Sequence, residues 1–325
     1  MLAALRDRYG SPDVVELRDV ERPTPIEDQV LVRVRAASVN RADLDVLYPK
    51  PAFTRLYMGL TRPRNHRIGA DVAGVVEAVG PGATRFRPGD EVFGDLFVHG
   101  QGSFAEFVCV RERALAPIGG GMTFEEAATF PHAAILALQG LRVGGRTVRA
   151  GDKVLIVGAS GNVGPFAVQI ARSRGAEVTG VCSTGKLDFV RSLGADHVLD
   201  YTTVDYTAIG ERWDWILDTD SHHSILRNRR ALRPKGVYVT LGGPALAILG
   251  ALVLGPLITL AGNRRMGLLL GWKPFDPADV ATLQDLFAAG KVKPAIDRRY
   301  PLAEVVEALR YVDERRSKGK VVITV

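Results

Sequence analysis

A doubly wound parallel α/β sheet, preceded by a β-rich region, is the fold class this sequence predicts, and three observations predict it. Lys153–Val168 reads KVLIVGASGNVGPFAV, an apolar run that stops at Gly158, Gly161 and Gly164, with a helical pattern directly after. Apolar strands and helical segments then alternate as far as Leu241, the pattern of a parallel sheet with crossover helices. The residues up to about Gly119 instead carry short β-rich runs cut by turns such as Gly80-Pro81-Gly82 and Pro88-Gly89-Asp90.

Bulk composition agrees with a folded chain of two domains. At 325 residues it exceeds the size at which a single core stops growing. Hydrophobic residues at 46% and charged residues at 24% exclude a disordered chain. The net charge of +6, from 42 basic against 36 acidic residues, favours a polyanionic ligand. No basic run is dense enough to predict specific nucleic-acid binding. Two cysteines, Cys109 and Cys182, cannot build a tetrahedral thiolate zinc site and fit a reducing compartment. The N-terminus, MLAALRDRYG, lacks the apolar stretch of a secretory signal, so the expectation is a cytoplasmic protein.

The elements follow in order. Strands are predicted at Val14–Leu17, Gln29–Ala37, Ala70–Val79, Glu91–Phe97 and Ala105–Val110. Thr123 is an expected N-cap, with Glu126 at the capping-box position. Strands at Lys153–Val157, Glu177–Ser183, His197–Tyr201, Trp213–Asp218 and Gly236–Leu241 alternate with helices at Asn162–Arg174, Lys186–Leu193 and Ser224–Leu232. Met266–Trp272 is a further strand. After it come a helix (Pro277–Ala289), a strand near Ala295, a helix (Leu302–Asp313) and a last strand, Lys320–Val325. Residues 1–119 with 273–325 are expected as one domain and 120–272 as the other.

The glycine turn carries the first chemistry. A strand that bends sharply into a helix needs glycine at the bend, and the first helical N–H groups then face an anion. Complete with its second strand, this βαβ unit predicts dinucleotide binding through Gly158, Ser160, Gly161, Asn162, Val163 and Gly164; a surface turn rich in glycine is the plainer alternative. At the end of the second strand an NAD site usually carries an acid. Here stand Ser183, Thr184 and Lys186, with no acid until Asp188. Hydroxyls and an ammonium suit a 2′-phosphate, so NADPH is the expected cofactor, unless these residues form only a polar capping turn. Thr219, Leu241 and Gly242 lie at carboxyl ends of the fourth and fifth strands, where ligands bind in such sheets.

One segment stands out for its lack of charge. Pro244–Ala261 reads PALAILGALVLGPLITLA and is followed by Asn263, Arg264 and Arg265. Gly250, Gly255 and Pro256 interrupt it, and it falls between two strands of one sheet, so a membrane span is the weakest reading. A buried or interfacial helix near the cofactor, roofing an apolar pocket or joining subunits, is expected. Peripheral membrane contact is the alternative.

Taken together, these motifs resemble the medium-chain dehydrogenase/reductase superfamily. ADVAGVVEAVGPGATRFRPGDEVFG (Ala70–Gly94), GSFAEFVCV (Gly102–Val110), VLIVGASGNVGPFAVQIAR (Val154–Arg172), LGADHVLDY (Leu193–Tyr201) and the stretch Ala289–Val325 carry the resemblance in order along the whole chain. Within the superfamily the chain is most similar to the zinc-free quinone oxidoreductases and enone reductases. The resemblance implies a GroES-like catalytic domain from both chain ends around a Rossmann cofactor domain, and a homodimer.

Departures from the zinc alcohol dehydrogenase pattern are equally informative. That branch would place a cysteine near Asn40, a His-Glu pair at Ala70 and Asp71, and a cysteine near His132; the lobe with four close cysteines is missing as well. No metal is therefore expected, although His66 and His132 beside Asp71 would form an improvised site. The expected reaction is hydride transfer from a dihydronicotinamide to a quinone or to the β-carbon of an α,β-unsaturated carbonyl, with a proton finally delivered to the anion.

The resemblance implies that Asn40 sits by the nicotinamide; satisfying backbone at a strand end is its plain alternative. Tyr48, Tyr57 and His132 are candidate proton donors, with a capping role for His132 and delivery from water as alternatives. Tyr201 is implied to contact the adenosine phosphate, or else is a core-edge tyrosine. Lys318 and Lys320 read as solvated charges. The substrate expected is a hydrophobic small molecule. An NADP-dependent alcohol dehydrogenase and a non-catalytic NADPH-binding protein, of the crystallin or RNA-binding kind, are the other readings.

Overall fold

A computed structural model of the chain describes residues 1–49 and 54–325. The chain forms two compact units, one of residues 1–135, 273–288 and 294–325, the other of residues 136–272 and 289–293.

The first unit is built on a sheet in the order Ile296–Pro301, Lys320–Thr324, Gln29–Val39, Asp71–Val79, Glu91–Asp95 and Leu115–Pro117, with Phe107–Arg111 also paired to Gln29–Val39. The first pair is parallel and the other pairs are antiparallel. A small two-stranded sheet of Leu2–Arg6 and Val15–Asp19 accompanies it. Register shifts interrupt the pairing of Gln29–Val39 with Asp71–Val79, and the sheet contributes to two separate cores. One core gathers Val39, Leu44, Leu47, Ile68, Leu309 and Ile323. The other gathers Val30, Val32, Val76, Val92 and Val108.

Residues 120–135 belong to this first unit rather than to the cofactor domain expected from residue 120. Within this unit Phe130 meets Phe287 edge-on at 5.8 Å between ring centroids, a contact that ties residues 120–135 to the segment 273–288. Thr123 does cap the helix Phe124–Ala127, its Oγ1 accepting the Glu126 N–H at 3.2 Å while the Glu126 carboxylate accepts the Thr123 N–H at 2.9 Å.

The second unit is a six-stranded parallel sheet in the order His197–Asp200, Glu177–Cys182, Lys153–Val157, Trp213–Asp218, Leu232–Thr240 and Arg265–Leu268. Order reverses beside Lys153–Val157, so the carboxyl ends of that strand and its neighbours form the switch point where such sheets bind ligands. The short segment 289–293 joins this unit because Lys293 and Gln169 exchange two hydrogen bonds, at 2.8 and 2.9 Å.

The uncharged segment forms the helix Ala245–Ala261, with Pro256 inside it. Of the two placements expected for it, buried or interfacial, burial is corrected: among its residues only Ala251 and Gly255 are buried, and Leu246 and Leu260 are each 84% exposed. Gly255 permits close approach to the Met266 carbonyl on one side; among the described residues the leucines on the other face stay exposed. Among the described residues no helix is long and apolar enough to cross a membrane.

Candidate active site

In the first unit the sheet register gathers a group of buried ionisable residues. Ser38 pairs with Asp71, and Asp71 with Asp95, across three antiparallel strands, which puts the three side chains on one face. Val321 pairs with Val39, so Lys320, one residue earlier, comes alongside Asn40, one residue later.

The side chains then interlock. The Lys320 ammonium donates to Asn40 Oδ1 at 2.7 Å and to Asp71 Oδ2 at 3.2 Å. Asn40 Nδ2 donates to the same Asp71 oxygen at 2.8 Å, and Ser38 Oγ at 2.7 Å. The other Asp71 oxygen accepts the His132 backbone N–H at 2.9 Å. His132 Nδ1 faces Asp95 Oδ2 at 3.0 Å. Asp43, on the helix Arg41–Leu47 that Asn40 begins, accepts the Asn40 N–H at 2.7 Å, while its Oδ1 has no hydrogen-bond partner among the described residues. All of these side chains are buried.

Burial and charge oppose each other here. Burial pushes the Asp43 carboxyl up to about 7, with Asp71 adding to the effect. Burial also disfavours charge on His132, but the carboxylates of Asp95, Asp71 and Asp43 outweigh it and raise the imidazolium pKa. For Lys320 burial prevails over Asp71 and lowers the ammonium pKa from its ordinary value.

The expectation that Lys320 is a solvated charge is thereby corrected; it is 1% exposed, whereas Lys318 does face solvent. Sequence reading missed it because the local run ERRSKGKVV looks like a charged turn. An ammonium thus stands against Asn40 and Asp71, beside Ala70, in the region where the zinc pattern would place a cysteine and a His-Glu pair. His66 lies elsewhere, its Nδ1 2.9 Å from Asp7 Oδ1. Among the described residues no group of three or more His, Cys, Asp or Glu side chains is arranged to hold a metal ion.

Asn40 and His132 are therefore brought together through Asp71. Tyr48 has a different partner: its hydroxyl donates to Asp313 Oδ2 at 2.5 Å. Burial and that carboxylate push the phenol up to about 12, which makes it a weaker acid. Tyr57 is 63% exposed.

In the second unit the glycine turn has the shape a pyrophosphate requires. Gly158 has φ +77°, and a Cβ there would lie 2.3 Å from Thr219 Oγ1, which itself donates to the Val157 carbonyl at 2.9 Å. A Cβ on Gly164 would lie 2.3 Å from the Gly158 carbonyl oxygen, so only glycine lets the helix Gly164–Ser173 start this close to the strand. At Gly161 the nearest atom to such a Cβ is 3.4 Å away, leaving the backbone open to a ligand. Ser160 is buried within the turn, and Asn162 and Val163 lead into the helix. Leu241 donates its N–H to the Asp218 carbonyl at 2.9 Å, and Gly242 to Thr240 Oγ1 at 3.3 Å. These residues fit a dinucleotide, with the turn holding its phosphates.

The far end of this cradle holds a residue that sequence reading overlooked. Ser183, Thr184 and Lys186 follow the second strand as expected, and Tyr201 is 57% exposed beside them in the sheet order. Thr184 Oγ1, however, donates to Asp200 Oδ2 at 2.5 Å, and Thr202 Oγ1 donates to Asp200 Oδ1 at 2.7 Å. The absence of an acid up to Asp188 is a feature of chain order only; the parallel pairing of Cys182 with Asp200 supplies one from the next strand.

Comparison with known proteins agrees with this geometry. Residues 26–120 match the alcohol dehydrogenase GroES-like domain and residues 193–323 the zinc-binding dehydrogenase family. The chain is 32% identical to a 2-methylene-furan-3-one reductase of Solanum lycopersicum, over 97% of this chain and 76% of that one. It is 31% identical to a mitochondrial NAD(P)H oxidoreductase of Mus musculus, over 100% of this chain and 89% of the relative. The solved quinone oxidoreductase of Coxiella burnetii superposes with a TM-score of 0.86 at 28% identity, covering 100% of this chain and 99% of that one.

Proposed function

The chain belongs to the medium-chain dehydrogenase/reductase superfamily, in its zinc-free quinone oxidoreductase-like branch, and on that premise we propose that it is an NADPH-dependent enzyme reducing a quinone or an α,β-unsaturated carbonyl. The observation that carries this reading is the buried ammonium of Lys320 bonded to Asn40 and to Asp71, whose other oxygen holds the His132 backbone. It supplies positive charge without a metal, in a group that also contains a proton donor.

Bound to the glycine turn, NADPH supplies the hydride. Burial disfavours charge on His132, but the carboxylates around it outweigh that and favour its protonated form. With Nδ1 turned to Asp95, the transferable proton is the one on Nε2. Asp71 fixes the backbone of His132 and the amide of Asn40 together. Asn40 still has an amide hydrogen beyond the one given to Asp71, and with it orients a ligand carbonyl. Tyr48, its hydroxyl held by Asp313, is the weaker donor. Ser183, Lys186 and Tyr201 receive the adenosine 2′-phosphate, beside Thr184, whose hydroxyl is held by Asp200.

An apolar substrate, a homodimer and peripheral membrane contact through residues 244–261 complete the proposal. The outer edge of Arg265–Leu268 has no further strand beyond it among the described residues, and an open edge favours pairing with another copy.

The test is oxidation of NADPH and NADH by chelator-treated protein, with a quinone and a short enone as acceptors. Turnover with NADPH in the absence of metal is expected. Activity that appears only on adding zinc would overturn the metal-free reading and favour an alcohol dehydrogenase. Tight NADPH binding with no turnover on either acceptor would favour a binding protein.

A further inference from the structure

The helix Ala245–Ala261 and the cations at its C-terminal end form one continuous surface. Leu246, Leu249, Val253, Leu257 and Leu260 recur at helical spacing and are 84, 56, 53, 57 and 84% exposed, a single stripe on one face. An exposed apolar row of this size marks an interaction surface. The end of the same helix opens into a depression of about 390 Å³ lined by Arg146, Lys235, Thr259, Asn263, Arg264 and Arg265. Arg264 also lies within electrostatic reach of Arg229 and Arg212. Arg146 donates to the Lys235 carbonyl and Arg264 to the Leu232 carbonyl. Among the described residues none of these cations pairs with a carboxylate.

We infer that this surface docks on an anionic phospholipid bilayer, with the leucine stripe in the acyl boundary and a headgroup phosphate in the basic depression. The inference rests on the membrane contact in the reading above, and it adds the headgroup charge and the site that receives it. Two features select this occupant. At 1.5 Å per residue the helix is about 25 Å long, too short to cross the hydrocarbon layer, so it lies in the interface. The unpaired cations gather at the C-terminal end of the same helix, where an anionic headgroup would neutralise them. A second copy docking through the same stripe would instead add another set of unpaired cations.

The experiment is flotation of the full chain with vesicles of phosphatidylcholine alone and with vesicles containing phosphatidylglycerol. Partition onto the anionic vesicles is expected to be at least about ten-fold stronger and to weaken with salt. Leu249→Glu with Leu257→Glu should abolish flotation. Arg146→Glu with Lys235→Glu should remove the preference for anionic lipid, with folding of both variants checked by circular dichroism. Equal, salt-insensitive binding to both vesicles would overturn the headgroup site while leaving membrane contact standing. No flotation on either vesicle would overturn the docking altogether. If light scattering also showed the Leu257→Glu chain as a monomer and the parent as a dimer, the stripe would belong to a second copy.

Discussion

Lys320 Nζ donates to Asn40 Oδ1 at 2.7 Å although 280 residues separate them, and neither side chain reaches solvent. The pair joins the last strand of the chain to the end of an early one, and Asp71 shares both partners. Lys320→Met keeps the volume and removes the charge, leaving Asp71 buried without its cation. Breaking a buried pair in this way costs about 3–5 kcal/mol. Urea unfolding should record that loss, and adding Asp71→Asn to Lys320→Met should recover part of it, because no buried charge is then left unpaired. If the double variant were no more stable than Lys320→Met alone, the ion pair would not be the source of the cost.

Proton delivery should depend on His132 more for one acceptor than for the other. An enolate is a stronger base than a hydroquinone anion, so it gains more from a positioned acid. His132→Asn should lower enone reduction by about 10²-fold and quinone reduction much less, with NADPH affinity unchanged. The parent's enone rate should fall as pH rises through the imidazolium pKa, which Asp95 holds above the ordinary histidine value. That limb should vanish in the variant. Equal losses on both acceptors would instead point to a packing role for His132.

How far the sequence foretold this site depends on the range of the forces involved. The strands Lys153–Val157 and Trp213–Asp218 lie where their apolar runs predict, because a strand buried on both faces has no polar alternation to blur it. Leu2–Arg6 was not predicted; it is a five-residue strand paired only with Val15–Asp19. Asn40 and His132 were visible through family motifs. Lys320 was not, since its burial is caused by Asp71 and Asn40, 249 and 280 residues away. The same limit applies to Ala245–Ala261: composition shows that the helix is apolar, but which face it buries is decided by its contact with Met266.

Asp43 makes stability depend on pH in the direction opposite to an ordinary salt bridge. Its folded-state carboxyl is pushed up to about 7 by burial, whereas the unfolded chain releases that proton near pH 3.9. Between those values the native state binds more protons, so stability falls as pH rises. His132 acts in the same sense, since its raised pKa gives stability that is lost as pH passes through it. Asp43→Asn keeps an acceptor for the Asn40 N–H and cannot ionise. The Tm of the variant should therefore vary less than the parent's between pH 4 and 7; an identical pH dependence would rule out Asp43 as a source.

Cofactor choice should turn on Asp200 as much as on Lys186. The hydroxyl of Thr184 spends its proton on Asp200 at 2.5 Å, so in this arrangement it offers a 2′-phosphate a lone pair rather than a donor. A carboxylate beside Thr184 also repels an incoming dianion. Asp200→Asn removes the charge and frees Thr184 to donate, so KM for NADPH should fall several-fold while that for NADH rises or stays level. Lys186→Ala should do the reverse, raising KM for NADPH by about ten-fold with little effect on NADH. Steady-state kinetics with both cofactors at fixed acceptor separate the two effects. If Asp200→Asn weakened NADPH instead, the carboxylate would be organising Thr184 and Thr202 for the phosphate, and its charge would be secondary to that structural role.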